Sequence, residues 1–342
     1  MLPHSHPEQK RWESPGGWGA RHMNDMAPFT LWDEQNHKFR YPSRQDWTWI
    51  RIAVLTAIAP LARVRAAIFL PAWTIFELEF GDGRSYEKQS LPGVVAGRTA
   101  LYHHGYEPFS ITMRSLTPPL PRFIGPSLRL ALTPGCRIES GLGLSGAPAE
   151  FTNAATTCGI KIRNLAGEEM LTVANHDFLS SKEVYHPFVN GDLVGDIIDT
   201  RPELDIALVK LTPAASSSFT NSCYFQAEPP TRLLEMSQIS QGSWSEVDGV
   251  SSGLFSMMNI GIQTMQPKRP AGHPEIEFSE WDTRSVDLLF GNVTMAISDG
   301  VCGAPIVDAE SGGVSRFFHL SDGVFSYSAV LDDLVAEGWV VV

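Results

Sequence analysis

Glu203-Leu204-Asp205-Ile206-Ala207-Leu208-Val209-Lys210-Leu211 decides the reading of the chain. Its apolar run has the composition of a strand, and the acid immediately before it stands half-buried at the strand's entrance. There a carboxylate can accept the N–H of an imidazole and fix its tautomer. Short β-branched runs separated by turn residues lie on both sides. Gly159-Ile160-Lys161-Ile162-Arg163 alternates, turns between Asn164 and Gly167, and returns as Met170-Leu171-Thr172-Val173-Ala174, a predicted hairpin. Further strands are expected at residues 194–198, 254–264, 293–297, 305–307 and 314–320. The closing segment, 329–337, has a helical pattern with Ser328 as N-cap and Gly338 as a stop. The predicted class is all-β with a short C-terminal helix.

The 342 residues, 43% hydrophobic and 19% charged, suffice for one large domain or two ordinary ones. With 26 basic against 38 acidic residues and no Lys/Arg cluster, nucleic acid is not an expected partner. The four cysteines are too scattered for a metal knuckle or a disulfide framework, and Cys136, Cys158 and Cys223 read as buried thiols. The polar N-terminus lacks the apolar core of a secretory signal, so an intracellular, cytoplasmic location is expected. Residues 52–76 are mostly apolar and approach the roughly 20 residues a span requires. Arg63 and Arg65 at their centre, with Pro60 and Pro71, favour a buried or interfacial helical hairpin, and membrane association is not expected. Residues 108–148 read as irregular chain, and a domain boundary falls near their end, after an N-terminal region (1–148) of uncertain structure without assignable chemistry.

Nucleophilic amide cleavage needs a nucleophile, a base, a group that orients the base, and donors for the developing oxyanion. His176, at the end of Leu171-Thr172-Val173-Ala174-Asn175, is the candidate base. Asp205 is the candidate orienting acid; Asp192, Asp196 and Asp199 are rivals placed in or near turns. Cys302 in Ser298-Asp299-Gly300-Val301-Cys302-Gly303-Ala304-Pro305-Ile306-Val307 is the candidate nucleophile. Gly300 lets its amide turn inward and Gly303 opens the approach, so the N–H groups of Gly300 and Cys302 form the expected oxyanion hole. Each residue also has an ordinary reading, as a surface histidine, a solvated acid and a buried thiol.

Thr172-Val173-Ala174-Asn175-His176, Asp205-Ile206-Ala207-Leu208-Val209 and Gly300-Val301-Cys302-Gly303 together resemble the chymotrypsin/trypsin-like peptidase superfamily, the PA clan, over somewhat more than half of the chain. The cysteine element is similar to the 3C-like branch, and the acid-plus-strand element resembles cellular and fungal trypsin-like proteins. The resemblance implies a chymotrypsin-like double β-barrel over 149–342 and a catalytic triad of His176, Asp205 and Cys302. It further implies a pocket wall carrying His319 and Phe318, His319 either hydrogen-bonding a polar P1 side chain such as glutamine or merely packed, and Phe318 either pocket or core. Val301 stands where such enzymes usually carry an aspartate, so activation by N-terminal processing is not expected. Sulfur in place of oxygen implies a resting thiolate–imidazolium pair. Ser145-Gly146-Ala147-Pro148 mimics the cysteine motif but precedes His176, whereas this fold supplies its nucleophile last; the overlapping Gly141-x-Gly143-x-x-Gly146 lacks a following helix and is not a dinucleotide loop.

The sequence therefore points to an endopeptidase with a polypeptide substrate and neither cofactor nor metal. Its rivals are an inactive pseudo-peptidase that binds peptides or proteins, and a membrane-associated scaffold.

Overall fold

The computed structural model describes residues 30–71, 73–79, 91–104, 131–141, 155–178, 181–267, 277–290, 297, 300–321 and 325–342. These are built chiefly of β-strands, the class expected from the sequence. The chain divides into two compact units interleaved in sequence, one of residues 1–111, 236–242 and 259–287, the other of 112–235, 243–258 and 288–342.

In the first unit, β1 (Leu31–Asp33) and β2 (Lys38–Arg40) form a hairpin. Helix α1 (Arg44–Ile58) opens with a capping box: Ser43 Oγ accepts the Asp46 N–H at 3.3 Å, and the Asp46 carboxylate accepts the Ser43 N–H at 2.8 Å. Trp47, Ile50, Val54, Leu55 and Ile58 recur three or four positions apart and are buried. Arg51 is buried with them. Its guanidinium donates to the carbonyls of Trp281 (2.6 Å) and Ser279 (2.8 Å) and to Thr283 Oγ1 (2.9 Å), and burial lowers its pKa to about 10.

Beyond α1 the apolar run becomes strands. β3 (Val64–Phe69) and β4 (Trp73–Leu78) pair antiparallel, and β5 (Val94–Val95) pairs antiparallel with β6 (Arg98–His104), which runs parallel to β4. Residues 262–265 pair antiparallel with β3. The helical hairpin expected over 52–76 is thus corrected to the end of a helix followed by two strands. The physical reason is that short apolar runs suit either element; in β4 burial alternates through Thr74, Phe76 and Leu78, the period of a strand. No helix among the described residues is long and apolar enough to cross a membrane.

The later strands are β7 (Arg137–Ser140), β8 (Ala155–Thr157), β9 (Lys161–Arg163), β10 (Glu169–Ala174), β11 (Glu183–His186), β12 (Asp192–Arg201), β13 (Ile206–Leu211), β14 (Trp244–Gly249), β15 (Gly253–Met265), β16 (Asp282–Phe290), β17 (Pro305–Asp308), β18 (Val314–Phe317), β19 (Leu320–Ser321), β20 (Phe325–Ala329) and β21 (Val340–Val341). In the second unit eight of them make one antiparallel sheet, in the order β21-β9-β10-β13-β12-β11-β7-β8. The run 206–211 is unbroken by polar residues until Lys210 because both its faces are covered: Ile206 and Leu208 join a core with Ile162, Phe317 and Leu334, while Ala207 and Val209 join another with Leu171 and Val173. β14 pairs antiparallel with β15 and with β17, and β17 pairs antiparallel with β18.

Several sequence expectations shift. β7 lies within the passage expected to be irregular. The C-terminal helix is shorter than expected, Asp332–Ala336, because residues 325–329 form β20 with Ser328 fully buried; Gly338 follows with φ +83° as a left-handed stop. The strand expected at 314–320 splits after Phe317. Of the strand expected at 293–297 only residue 297 is described, outside any strand, and the serine motif at 145–148 lies outside the described residues.

Candidate active site

The site lies in the second unit and begins with a strand register. β10 and β13 are paired from Met170↔Lys210 to Ala174↔Ile206, and one step further the Asn175 N–H donates to the Asp205 carbonyl at 3.0 Å. His176 follows in a single 3₁₀ turn, Asn175–Phe178, so the pairing itself delivers imidazole and carboxylate to one strand end. His176 Nδ1 donates to Asp205 Oδ2 at 2.6 Å, and the His176 backbone N–H donates to Oδ1 at 3.0 Å. Asp205 closes the turn 202–204 at φ 54°, ψ 38°, a left-handed conformation that aspartate and asparagine tolerate better than most residues. Its side chain is 5% exposed against 43% for His176, so the acid is dry and the base is open to solvent. The rival acids face outward: Asp192 and Asp196 are exposed, and Asp199 lies 3.2 Å from Arg201.

The loop bearing Cys302 is held through its carbonyls. Thr157 Oγ1 donates to the Gly300 carbonyl at 2.6 Å, the Ala304 N–H to that of Val301 at 3.1 Å, and Thr156 Oγ1 (2.7 Å) and the Thr157 N–H (3.2 Å) to that of Cys302. Fixing the Val301 carbonyl fixes the peptide plane that carries the Cys302 N–H, because the two groups point opposite ways. Among the described residues neither the Cys302 nor the Gly300 N–H has a backbone acceptor. Gly300 (φ +97°) and Gly303 (φ +83°) are both left-handed, and a Cβ at Gly303 would lie 2.8 Å from the Thr157 oxygen. Val301 is core, packed on Gly249.

The Cys302 thiol lies close enough to the His176 ring for each to act on the other's titration, and Nε2 is the ring nitrogen left once Asp205 has taken Nδ1. The Asp205 hydrogen bond, followed by that to Cys302, raises His176 to about 11, so the ring is charged at neutral pH. Burial pushes the Cys302 thiol above its ordinary value and outweighs the downward pull of the imidazolium. The thiol donates to the His319 carbonyl at 3.0 Å. Burial thus favours a neutral thiol beside the imidazolium over the expected thiolate–imidazolium pair.

Phe318, expected on the substrate wall, is corrected to a core side chain: it is 2% exposed and packs edge-on against Phe255, with ring centroids 5.7 Å apart. His319 sits with Nδ1 3.3 Å from Asp205 Oδ2. One ligand atom each from His176, Asp205 and His319 lie within 4.8 Å of one another, the one candidate metal cluster among the described residues. The 2.6 Å between His176 Nδ1 and Asp205 Oδ2 is a hydrogen-bond length, shorter than the roughly 3.3 Å between two ligand atoms on tetrahedral zinc. Sequence reasoning missed the Thr156/Thr157 clasp and the contact of His319 with Asp205. Both join residues more than a hundred positions apart, and no local pattern signals them. Cys136, Cys158 and Cys223 are buried free thiols, as expected.

No family model matches the chain, and no curated protein matches it. Among solved structures, protease A of Thermobifida fusca overlaps 62% of this chain and 98% of its own at 15% identity and a TM-score of 0.42. A Nocardiopsis protease overlaps 61% and 98% at 13% identity and a TM-score of 0.39. A glutamic-acid-specific serine protease overlaps 62% and 100% at 13% identity and a TM-score of 0.36. Overlaps this loose transfer nothing from those proteins to this chain.

Proposed function

We propose that this chain is a trypsin-like endopeptidase with a cysteine nucleophile, the antiparallel strand groups of its second unit forming a chymotrypsin-like double β-barrel. The observation that carries the reading is the 2.6 Å hydrogen bond from His176 Nδ1 to the buried Asp205 carboxylate, with the Cys302 thiol near enough to the same ring to act on its titration. Cys302 releases its proton to solvent and the thiolate attacks the scissile carbonyl of a polypeptide; the His176 imidazolium gives its proton to the leaving amine as the C–N bond breaks, and the then-neutral ring takes a proton from the water that hydrolyses the thioester, releasing the thiolate. Asp205 holds the ring in one tautomer and balances its charge. The N–H groups of Gly300 and Cys302 take the oxyanion. No step calls on a metal or cofactor.

The raised thiol supports one alternative, a binding module in which peptides dock but are not cleaved. A thiol-reactive peptide probe and a peptide library separate the two. Turnover by the wild type, lost about 10⁴-fold or more in Cys302→Ala together with labelling, supports the peptidase. Equal turnover after Cys302→Ala overturns the mechanism, and peptide binding without turnover leaves the module.

A further inference from the structure

His176 lies between two carboxylates, one at each ring nitrogen. Asp205 Oδ2 stands 2.6 Å from Nδ1, and Asp177 Oδ1 stands 3.6 Å from Nε2, the nitrogen left for the nucleophile. The first contact is a hydrogen bond. The second is an ion pair too long for one, so it acts through charge and not through direction. The acids also differ in exposure: the Asp205 side chain is 5% exposed and that of Asp177 20%.

The backbone puts Asp177 there. Its 3₁₀ turn, Asn175–Phe178, is tied at one end by the Asn175 N–H on the Asp205 carbonyl at 3.0 Å, and at the other by Phe178, buried in the core with Leu171 and Val173. With both ends fixed, the residue after His176 stays beside the ring.

Among the described residues, the titratable groups that bear on Cys302 are His176, Asp177 and Asp205. Those around the His176 ring are Asp205, Cys302, Asp177 and the ring of His319, whose centroid is 5.6 Å away. A thiolate at Cys302 would set three negative charges about one imidazolium. Asp205 alone already balances that ring, so Asp177 is a surplus negative charge. After the Asp205 hydrogen bond on His176 and burial on Cys302, it adds to the upward push on both groups.

We propose that Asp177 is a positioning residue that acts through charge: standing beside Nε2, its carboxylate keeps the proton on the His176 ring and opposes negative charge on the Cys302 sulfur, so that the nucleophile comes into play at alkaline pH. The peptidase reading needs the sulfur charged for attack and Nε2 protonated for the leaving amine. Asp177 favours the second condition and opposes the first. Its effect on turnover rests on that reading, whereas its effect on the sulfur is measurable with no substrate present. A sulfur kept neutral is also slower to oxidise.

The test follows alkylation of Cys302 by iodoacetamide against pH in the full-length protein, in wild type, Asp177→Asn, Asp177→Ser and Asp177→Glu, each checked by a thermal melt. In the two neutral variants the midpoint is expected about one unit below wild type. At pH 7 the thiolate is then about tenfold more abundant but less nucleophilic, so alkylation should rise about threefold, and kcat/KM with it. The ring of His176, followed by NMR, should titrate lower in the same two variants. Asp177→Glu keeps the charge and should stay within about twofold of wild type. A change that merely loosened the site would lower these rates, not raise them. An unchanged midpoint in a folded neutral variant, a glutamate variant that shifts with the neutral ones, or loss of folding in both neutral variants overturns the proposal. If the midpoints shift as stated while the wild type cleaves no peptide, the role of Asp177 stands and the peptidase reading fails; if peptides are cleaved but the midpoints coincide, the peptidase reading stands and this one falls.

Discussion

The second unit contains two cysteine–histidine contacts, and they differ in every respect that chemistry needs. Cys302 is partly accessible beside the 43%-exposed His176, whose far nitrogen rests on a carboxylate. Cys136 is fully buried, 3.6 Å from Nδ1 of His186, itself 5% exposed, and that same Nδ1 donates to the Arg137 carbonyl at 2.6 Å. Judged by thiol acidity alone, the wrong cysteine would be chosen: burial acts to raise Cys136, but hydrogen bonds from Cys158 and His186 bring it below its ordinary value, whereas Cys302 stands above its own. Acidity is not what separates them. Cys302 is partly accessible, in a glycine-flanked loop near a histidine with a carboxylate behind it; Cys136 has packing on all sides.

The largest expected difference between the two contacts lies at Asp205. Asp205→Asn keeps the left-handed backbone and the shape but removes the charge, and is expected to lower kcat about 10³- to 10⁴-fold while His176 titrates well below 11, measured by peptide turnover and by NMR titration of the ring. Next comes pH. Because burial raises the Cys302 thiol and only the thiolate reacts, iodoacetamide labelling should climb about tenfold per unit and still be rising past pH 9. A plateau by pH 7 would restore the thiolate–imidazolium resting state. Gly303→Ala places a Cβ 2.8 Å from the Thr157 oxygen at φ +83°, a cost of about 2 kcal/mol that a thermal melt would register. The smallest effect is expected at Cys136→Ala: turnover and Cys302 labelling within about twofold of wild type, and stability lower by about 1 kcal/mol in denaturant unfolding. A collapse of turnover there would break the comparison.

The parts legible in the sequence are those set by neighbours along the chain. Residues 206–211 form a strand on the expected boundaries, and the glycines singled out around Cys302 adopt left-handed backbone that other residues rarely take. Burial on both faces of β13 is also why its periodicity is weak and its apolar content strong. What escaped was decided across long separations. Residues 64–78 are apolar enough for either helix or strand, and pairing with residues 262–265 accompanies the strand. His319 carries no local mark of its contact with Asp205, more than a hundred positions upstream. The upward push on the thiol was hidden for a related reason: an imidazolium beside a thiol suggests thiolate, but the burial of Cys302 is a property of the packed molecule.

The threonine clasp on residues 300–302 has a thermodynamic consequence. With three successive carbonyls already engaged, the peptide planes around Cys302 have little left to rearrange when an anion forms beside them. The entropy of aiming those dipoles was spent when the polypeptide folded, not during turnover. These planes behave as a rigid mould.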